Sequence, residues 1–577
     1  MALINCPYCN NRISTLAPLC VYCGGDIAAL ADDLSYEVKN GTLVKYHGSR
    51  QVISIPGEIE SIGRGAFDGC ESIVKVIIGE NVKSVGDVAF ANCPSLESVV
   101  IEEGASHIGY KAFSNCHSLT EVILPSTLEN ISDRAFENCS SLEGIRIPEG
   151  VITVGMEAFL NCSSIKKVRL ANSVTSIGFN SFCGCTSLHS IKFGEGLTHI
   201  GGRAFCECAS LSDVTLPDTV ISIGEEAFFH CSSLESINLG SSVSSIGMLA
   251  FSECENLKNI TISPALTSIG IKAFCNSTAF EHIELPEGLL EIGSEAFKGC
   301  SSLAHITIPQ SVKIIGFEVF CDCPSLSGIE IGSIANWCHI EFSLIRGNPE
   351  PFEKRLSLNG KLIEHLVVDD EVTSIGDAVF SNCLDIKSAQ ISDEVTSIGN
   401  QAFLNCMKLG SIKLPSALKS IGKQAFYNCL ELQEIDIPSG VITIPALAFA
   451  ECIQLKRVTL GEAKAIDAQA FENCSSLEHI DISNGITSIG KNAFSGCSAL
   501  KSIVISSELS SIGSGAFDGC DNLINVYFKF SPEETPRLLL GDNPVLDNAN
   551  IYFYSEEEPE DESEFWHYNE NLEPILW

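Results

Sequence analysis

Cys6-Pro7-Tyr8-Cys9 and Cys20-Val21-Tyr22-Cys23 place two Cys-x-x-Cys pairs ten residues apart. Two thiolates at this spacing can grip one cation, and four of them close the tetrahedral shell that Zn2+ prefers. Asn10 and Gly24 follow the two pairs, and both residue types tolerate the left-handed backbone of a tight turn. A segment of about 25 residues cannot bury a self-sufficient core, so metal binding would drive its folding. The expectation is one structural Zn2+ on Cys6, Cys9, Cys20 and Cys23, with no open position for catalysis. Unliganded thiols or disulfides are the alternative. A redox role is weaker, because the motif occurs twice and no βαβ pattern surrounds it.

Elsewhere no grouping of residues points to catalysis, and the chain is expected not to be an enzyme. Its 12 histidines are scattered over variable positions. The abundant serines have no His–acid pair in evident register. No glycine-rich phosphate loop follows a strand and opens a helix. Charge narrows the partners further. Acidic residues number 73 against 35 basic ones, a formal charge of −38. Nucleic-acid affinity comes largely from neutralising phosphates with Lys and Arg, so no nucleic-acid partner is expected, and an anionic membrane surface is disfavoured likewise. No apolar run reaches the roughly 18 residues of a membrane span. The opening Met1-Ala2-Leu3-Ile4-Asn5-Cys6 has neither the basic nor the long apolar region of a secretory signal. The 27 cysteines are therefore expected to be ligands or buried thiols in a reducing, cytoplasmic setting.

The elements that position these residues come from repetition. Ile108-Gly109-x-x-Ala112-Phe113-x-x-Cys116-x-x-Leu119-x-x-Val122-x-Leu124-Pro125 is one copy of a frame that returns every 23 residues. Its phenylalanine falls at twelve positions from Phe67 to Phe320 and at seven from Phe380 to Phe517, one of these copies being shortened to 22. A fixed period of this length is the mark of a solenoid. Val122-Ile123-Leu124 is too short for a helix and rich in β-formers, so Val122 and Leu124 should face inward and Ile123 outward. Pro125 ends that strand. Val174-Thr175-Ser176-Ile177 is expected to build the opposite wall. Gly follows the wall residue in 16 copies, as at a corner needing an unusual backbone angle. Ala precedes the Phe in 16 copies, as in a turn with no room for more. Each Phe should fill its coil and stack on the next.

This frame resembles the bacterial BspA-type leucine-rich repeat over residues 50 to 530, which implies a predominantly β solenoid of short parallel strands. Family members are mostly extracellular adhesion or host-binding proteins, so the resemblance also implies a cell-surface adhesin as the alternative to a cytoplasmic role. The segment Met1–Ile27 resembles short bacterial zinc ribbons, although its first knuckle lacks their usual Gly. The tail from Tyr554 to Trp577 resembles the endings of some proteins with this repeat.

Cys stands three residues after the Phe in 18 of 19 copies, and Ser277 is the exception. Stacked equivalents would hold their Cβ atoms near the ~4.8 Å rung spacing, outside the roughly 3.5–4.5 Å that disulfides need. A column of small buried thiols is therefore expected, rather than a redox or metal ladder. Cys183, Cys206, Cys275 and Cys321 are read as incidental small residues.

On this constant frame the outward strand position varies. Arg146, Arg169 and Lys192 occupy it on three consecutive rungs, with Lys166 and Lys167 beside them. Like charges so close repel unless countered. Either an acidic partner segment or the chain's own acidic tail fills this role, or Glu143 and Glu195 balance a tolerated surface cluster.

Boundaries follow from breaks in the period. A zinc ribbon occupies 1–27, and a linker with a cap hairpin at Asn40-Gly41 occupies 28–62. A block of 12 repeats covers 63–326 and an irregular insert 327–370. A block of 7 repeats covers 371–530, and a C-terminal cap with acidic tail covers 531–577. Asn359-Gly360 signals a second opening hairpin. Trp337, Trp566 and Trp577 lie outside the repeats, where sealing a block end is favoured over ligand binding. Glu556 to Glu564 holds seven acidic residues in nine, and Phe565-Trp566-His567-Tyr568 behind it could dock on the last coil. The function expected is a non-catalytic scaffold that binds protein partners of unknown identity through its solenoid surface.

Overall fold

The computed structural model describes residues 3–5, 12–14, 35–343, 355–482, 485–530, 539–540, 542–556, 565–568 and 574–576. Cys6, Cys9, Cys20, Cys23 and Trp577 lie outside the described residues, as do positions 557–564 of the acidic run. Two compact units divide the chain, one of 1–281 with 296–302 and the other of 282–295 with 303–577.

In the first unit each coil has two β walls. One wall is built from two-residue strands such as His107–Ile108, Asn130–Ile131 and Ser176–Ile177, paired parallel so that Ile108 faces Ile131 and Ile177 faces Ile200. The other is built from three- and four-residue strands such as Ser98–Ile101 and Glu121–Ile123, also parallel. Val122 is buried and Ile123 is 48% exposed, as the alternation demands, whereas Leu124 is half-buried. The phenylalanines fill the space between the walls. From Phe67 to Phe297 adjacent rings lie 4.5–5.6 Å apart and tilt by 2–17°. The two-residue-strand wall opens on the hairpin Tyr36–Lys39 with Thr42–Tyr46, whose turn residues Asn40 and Gly41 both have positive φ, as a two-residue hairpin requires.

The second unit repeats this plan. Its ring column from Phe380 to Phe517 has spacings of 5.3–5.5 Å. Asn359-Gly360 turns the hairpin between Leu356–Leu358 and Lys361–Leu362. Trp337, on the short helix Ile334–Cys338, is buried and donates its indole N–H to the Val379 carbonyl at 3.0 Å. At the far end Phe565–Tyr568 pairs with Asn550–Tyr554, and Trp566 is fully buried with its indole N–H on the Phe528 carbonyl. Both tryptophans thus plug irregular modules beside the repeats.

The corner glycines have a different reason from the one the sequence suggested. Gly109, Gly155 and Gly178 do not have positive φ. A Cβ on Gly178 would stand 2.8 Å from the Gly155 carbonyl carbon and the Met156 nitrogen of the preceding rung, so glycine there permits close approach of two backbones. The left-handed residues fall elsewhere, one before the Ala-Phe pair (Lys111, Arg134, Glu157) and one two residues after the Phe (Asn115, Asn138, Asn161). The asparagines at the second place form a side-chain ladder, Asn115 to Asn92, Asn138 to Asn115 and Asn161 to Asn138, at 2.9–3.0 Å.

The cysteine column is made of free thiols. The bond that recurs along it runs to the carbonyl of the Phe one rung back: Cys116 to Phe90 at 3.1 Å, Cys208 to Phe182 at 3.3 Å, Cys231 to Phe205 at 3.2 Å. Ser277 makes the same bond with its hydroxyl, to Phe251 at 2.6 Å.

Candidate partner-binding surface

Arg146, Arg169 and Lys192 end the strands Gly144–Arg146, Lys167–Arg169 and Ser190–Lys192, all within the first unit. The strands pair parallel and in register, so Arg146 faces Arg169 and Arg169 faces Lys192. The inward residues Ile145 and Val168 fix this orientation by burial, and the residue after each turns its side chain out. All three cations are exposed. Lys167, also exposed, precedes Arg169 by two and projects from the same face, opposite Gly144 and Ser190 on the neighbouring rungs.

The two expected counter-charges are not spent on this ladder. Glu143 pairs with Lys166 at 3.4 Å. Glu195 receives no ion pair among the described residues, although its backbone N–H donates to Asn172 Oδ1 at 3.0 Å. Among the described residues none of Arg146, Lys167, Arg169 and Lys192 forms an ion pair.

Behind the ladder lies a cavity of about 160 Å³. Its rim is Arg146, Arg169 and Lys192, and its floor includes the buried side chains of Ile147, Leu170 and Phe193. Phe193 packs edge-on against Phe205, with centroids 5.9 Å apart. The flanking rungs carry a strand-ending proline at this place, Pro125 and Pro148 on one side and Pro217 on the other. Here two successive rungs carry Ala171 and Gly194 instead. Gly194 is forced small, because a Cβ on it would collide with the Ala171 carbonyl. Glu149 also borders the cavity, but its carboxylate accepts the backbone N–H groups of Asn172 and Ser173, both at 3.3 Å. Sequence reasoning found the cations and missed the hollow. The readable signal was the coincidence of two small residues, Ala171 and Gly194, with the basic residues on the same two rungs.

The volume is below the roughly 300–1,000 Å³ of sites for drug-sized ligands. It suits one side chain of a larger partner. No group of three or more His, Cys, Asp or Glu placed to hold a metal occurs among the described residues, and no helix among them is long and apolar enough to cross a membrane.

The family model described as a BspA type leucine-rich repeat region matches residues 45–166, 152–279, 221–342, 357–477 and 419–537. The chain belongs to this family. As a BspA-type array it is similar to a leucine-rich repeat protein from Bacteroides ovatus, at 22% identity over 88% of this chain and 97% of that one, with a TM-score of 0.29. It is also similar to a leucine-rich cell surface protein from Faecalibacterium prausnitzii, at 21% identity over 86% and 94%, with a TM-score of 0.27. No curated protein matches it. The basic ladder and its cavity therefore sit on the long-strand wall of a BspA-type array, at positions the repeat frame leaves free to vary.

Proposed function

We propose that this BspA-type protein is a non-catalytic scaffold that binds protein partners along its strand wall, with Arg146, Lys167, Arg169 and Lys192 receiving an acidic segment. The observation that supports this most is the unpaired ladder. Three stacked cations in a chain of net charge −38 make no ion pair among the described residues, an arrangement that costs stability unless a ligand offsets it. Solenoids suit this task because neighbouring repeats form an extended surface of variable residues. The test is affinity capture from the native cell with the full-length chain and with R146E/R169E/K192E. Partners recovered equally by both baits would remove the ladder from consideration.

The same proposal places the protein in the cytoplasm. Column thiols that donate to backbone carbonyls, as Cys231 and Cys254 do, and the two Cys-x-x-Cys pairs fit a reducing compartment. Cell fractionation tests it, and recovery on the cell surface would favour the adhesin reading that family membership keeps open. We further propose one structural Zn2+ on Cys6, Cys9, Cys20 and Cys23. Leu3–Asn5 and Arg12–Ser14 form an antiparallel pair with Ile4 opposite Ile13, and the first cysteine pair falls between these strands in sequence, as in a knuckle-bearing hairpin. Metal analysis should find about one zinc per chain, lost in a Cys6→Ser, Cys9→Ser variant. Absence of zinc from the intact protein ends this part.

A further inference from the structure

The ladder and the hollow behind it differ in what they can recognise. Arg146, Arg169 and Lys192 supply charge at rung spacing, about 4.8 Å, and any flexible polyanion could follow them. The hollow is selective by shape. It lies where Ala171 and Gly194 occupy the place that Pro148 and Pro217 hold on the flanking rungs. Its floor is apolar, through Leu170 and Phe193, and its rim is cationic. The one carboxylate at its edge, Glu149, is already turned to two backbone N–H groups. Such a site takes a group with a short aliphatic stem and an anionic end. A glutamate side chain has both, whereas a sulfated or phosphorylated sugar chain brings the charge without the apolar stem.

We propose that the Ala171–Gly194 notch is a specificity pocket that seats one carboxylate-bearing side chain, glutamate in the first instance, of an acidic peptide segment lying across Arg146, Arg169 and Lys192. This rests on the protein-binding reading above and adds the residue class that is read.

Restoring the repeat's own residue tests the pocket without touching the charges. The N–H of Ala171 makes no backbone hydrogen bond among the described residues, and Leu170 before it donates to the Lys192 carbonyl just as Ile147 before Pro148 donates to the Arg169 carbonyl. Ala171→Pro is therefore compatible with the backbone and puts a ring into the notch. Ala171→Leu fills the same space without altering the backbone. The probe is a fluorescent oligoglutamate peptide titrated with the full-length chain near physiological ionic strength. Wild type should bind it, and R146E/R169E/K192E should not. Ala171→Pro and Ala171→Leu should each bind about tenfold more weakly, as expected for denying a group its fitted pocket, with melting temperatures unchanged. If both notch variants bind oligoglutamate like wild type while the triple reversal does not, the pocket is overturned and the ladder stands. If wild type ignores oligoglutamate, or if dextran sulfate binds more tightly and is indifferent to Ala171→Pro, the peptide assignment is overturned in favour of a sulfated polymer.

Discussion

A buried thiol has one hydrogen to place and needs a carbonyl within reach. Cys231, fully buried, spends its S–H on the Phe205 carbonyl, and Ser277 shows that a hydroxyl fills the same post. That carbonyl also accepts the Cys208 backbone N–H at 3.2 Å, so Cys231→Ala removes one of its two donors and should cost about 0.5–1.5 kcal/mol, whereas Cys231→Ser should be close to neutral. Thermal unfolding of the two variants checks this, and equal losses would mean that packing alone keeps the residue. Burial also sets how these thiols titrate. It pushes Cys254 and Cys452 from the ordinary 9.0 up to about 12, against an opposing hydrogen bond in each case from the neighbouring column cysteine. The unfolded thiols therefore ionise first. Their contribution is complete below about pH 9 and is lost as pH climbs toward 12, at up to about 1.4 kcal/mol per thiol per pH unit. Melting temperature should fall steeply on that alkaline limb, and less steeply in Cys254→Ser. An equal slope in that variant would assign the alkaline loss to other groups.

At the scale of one coil, the phenylalanine carries the core. Phe205 stacks between Phe182 and Phe228 at 5.6 and 5.2 Å, takes Phe193 on its edge, and donates its backbone N–H to the Ala227 carbonyl of the next rung. Phe205→Ala should cost roughly 3–5 kcal/mol through the cavity it leaves. Because Phe193 would lose its neighbour, the same variant should also weaken partner binding at the notch, and calorimetry with binding assays separates the two effects. The period that placed Phe205 was fully legible in sequence, since a fixed spacing identifies equivalent positions whatever their contacts. So were the Asn40-Gly41 and Asn359-Gly360 hairpins, where residue type dictates a local backbone angle. Beyond the ring stacking, contacts between rungs were not legible. The thiol-to-carbonyl bond, the asparagine ladder and the backbone approach that requires Gly178 all join residues about 23 positions apart, and a pattern names the column without saying what it touches. The ladder at Arg146, Arg169 and Lys192 was visible because it is a run of charge. The notch was not, because it is made by side chains that are absent.

In the whole molecule recurring bonds tie rungs mainly to their immediate neighbours, so stability should behave as a sum of rung and interface terms. A perturbation at one end then stays near that end. Trp566 is the sharpest probe. Fully buried, it lies 5.4 Å from the Tyr527 ring and 5.1 Å from the Tyr554 ring, and its indole N–H holds the Phe528 carbonyl. Trp566→Ala removes packing worth roughly 3–5 kcal/mol from the last strands. Amide hydrogen exchange should quicken across Asn525–Phe528 and Asn550–Tyr554, while Ser98–Ile101, Glu121–Ile123 and the ladder strands up to Lys192 keep their protection. Binding of the oligoglutamate probe should survive this variant unchanged. Uniform loss of protection along the chain would mean that the rungs unfold as a single cooperative block, and neighbour-only coupling would have to be given up for this array.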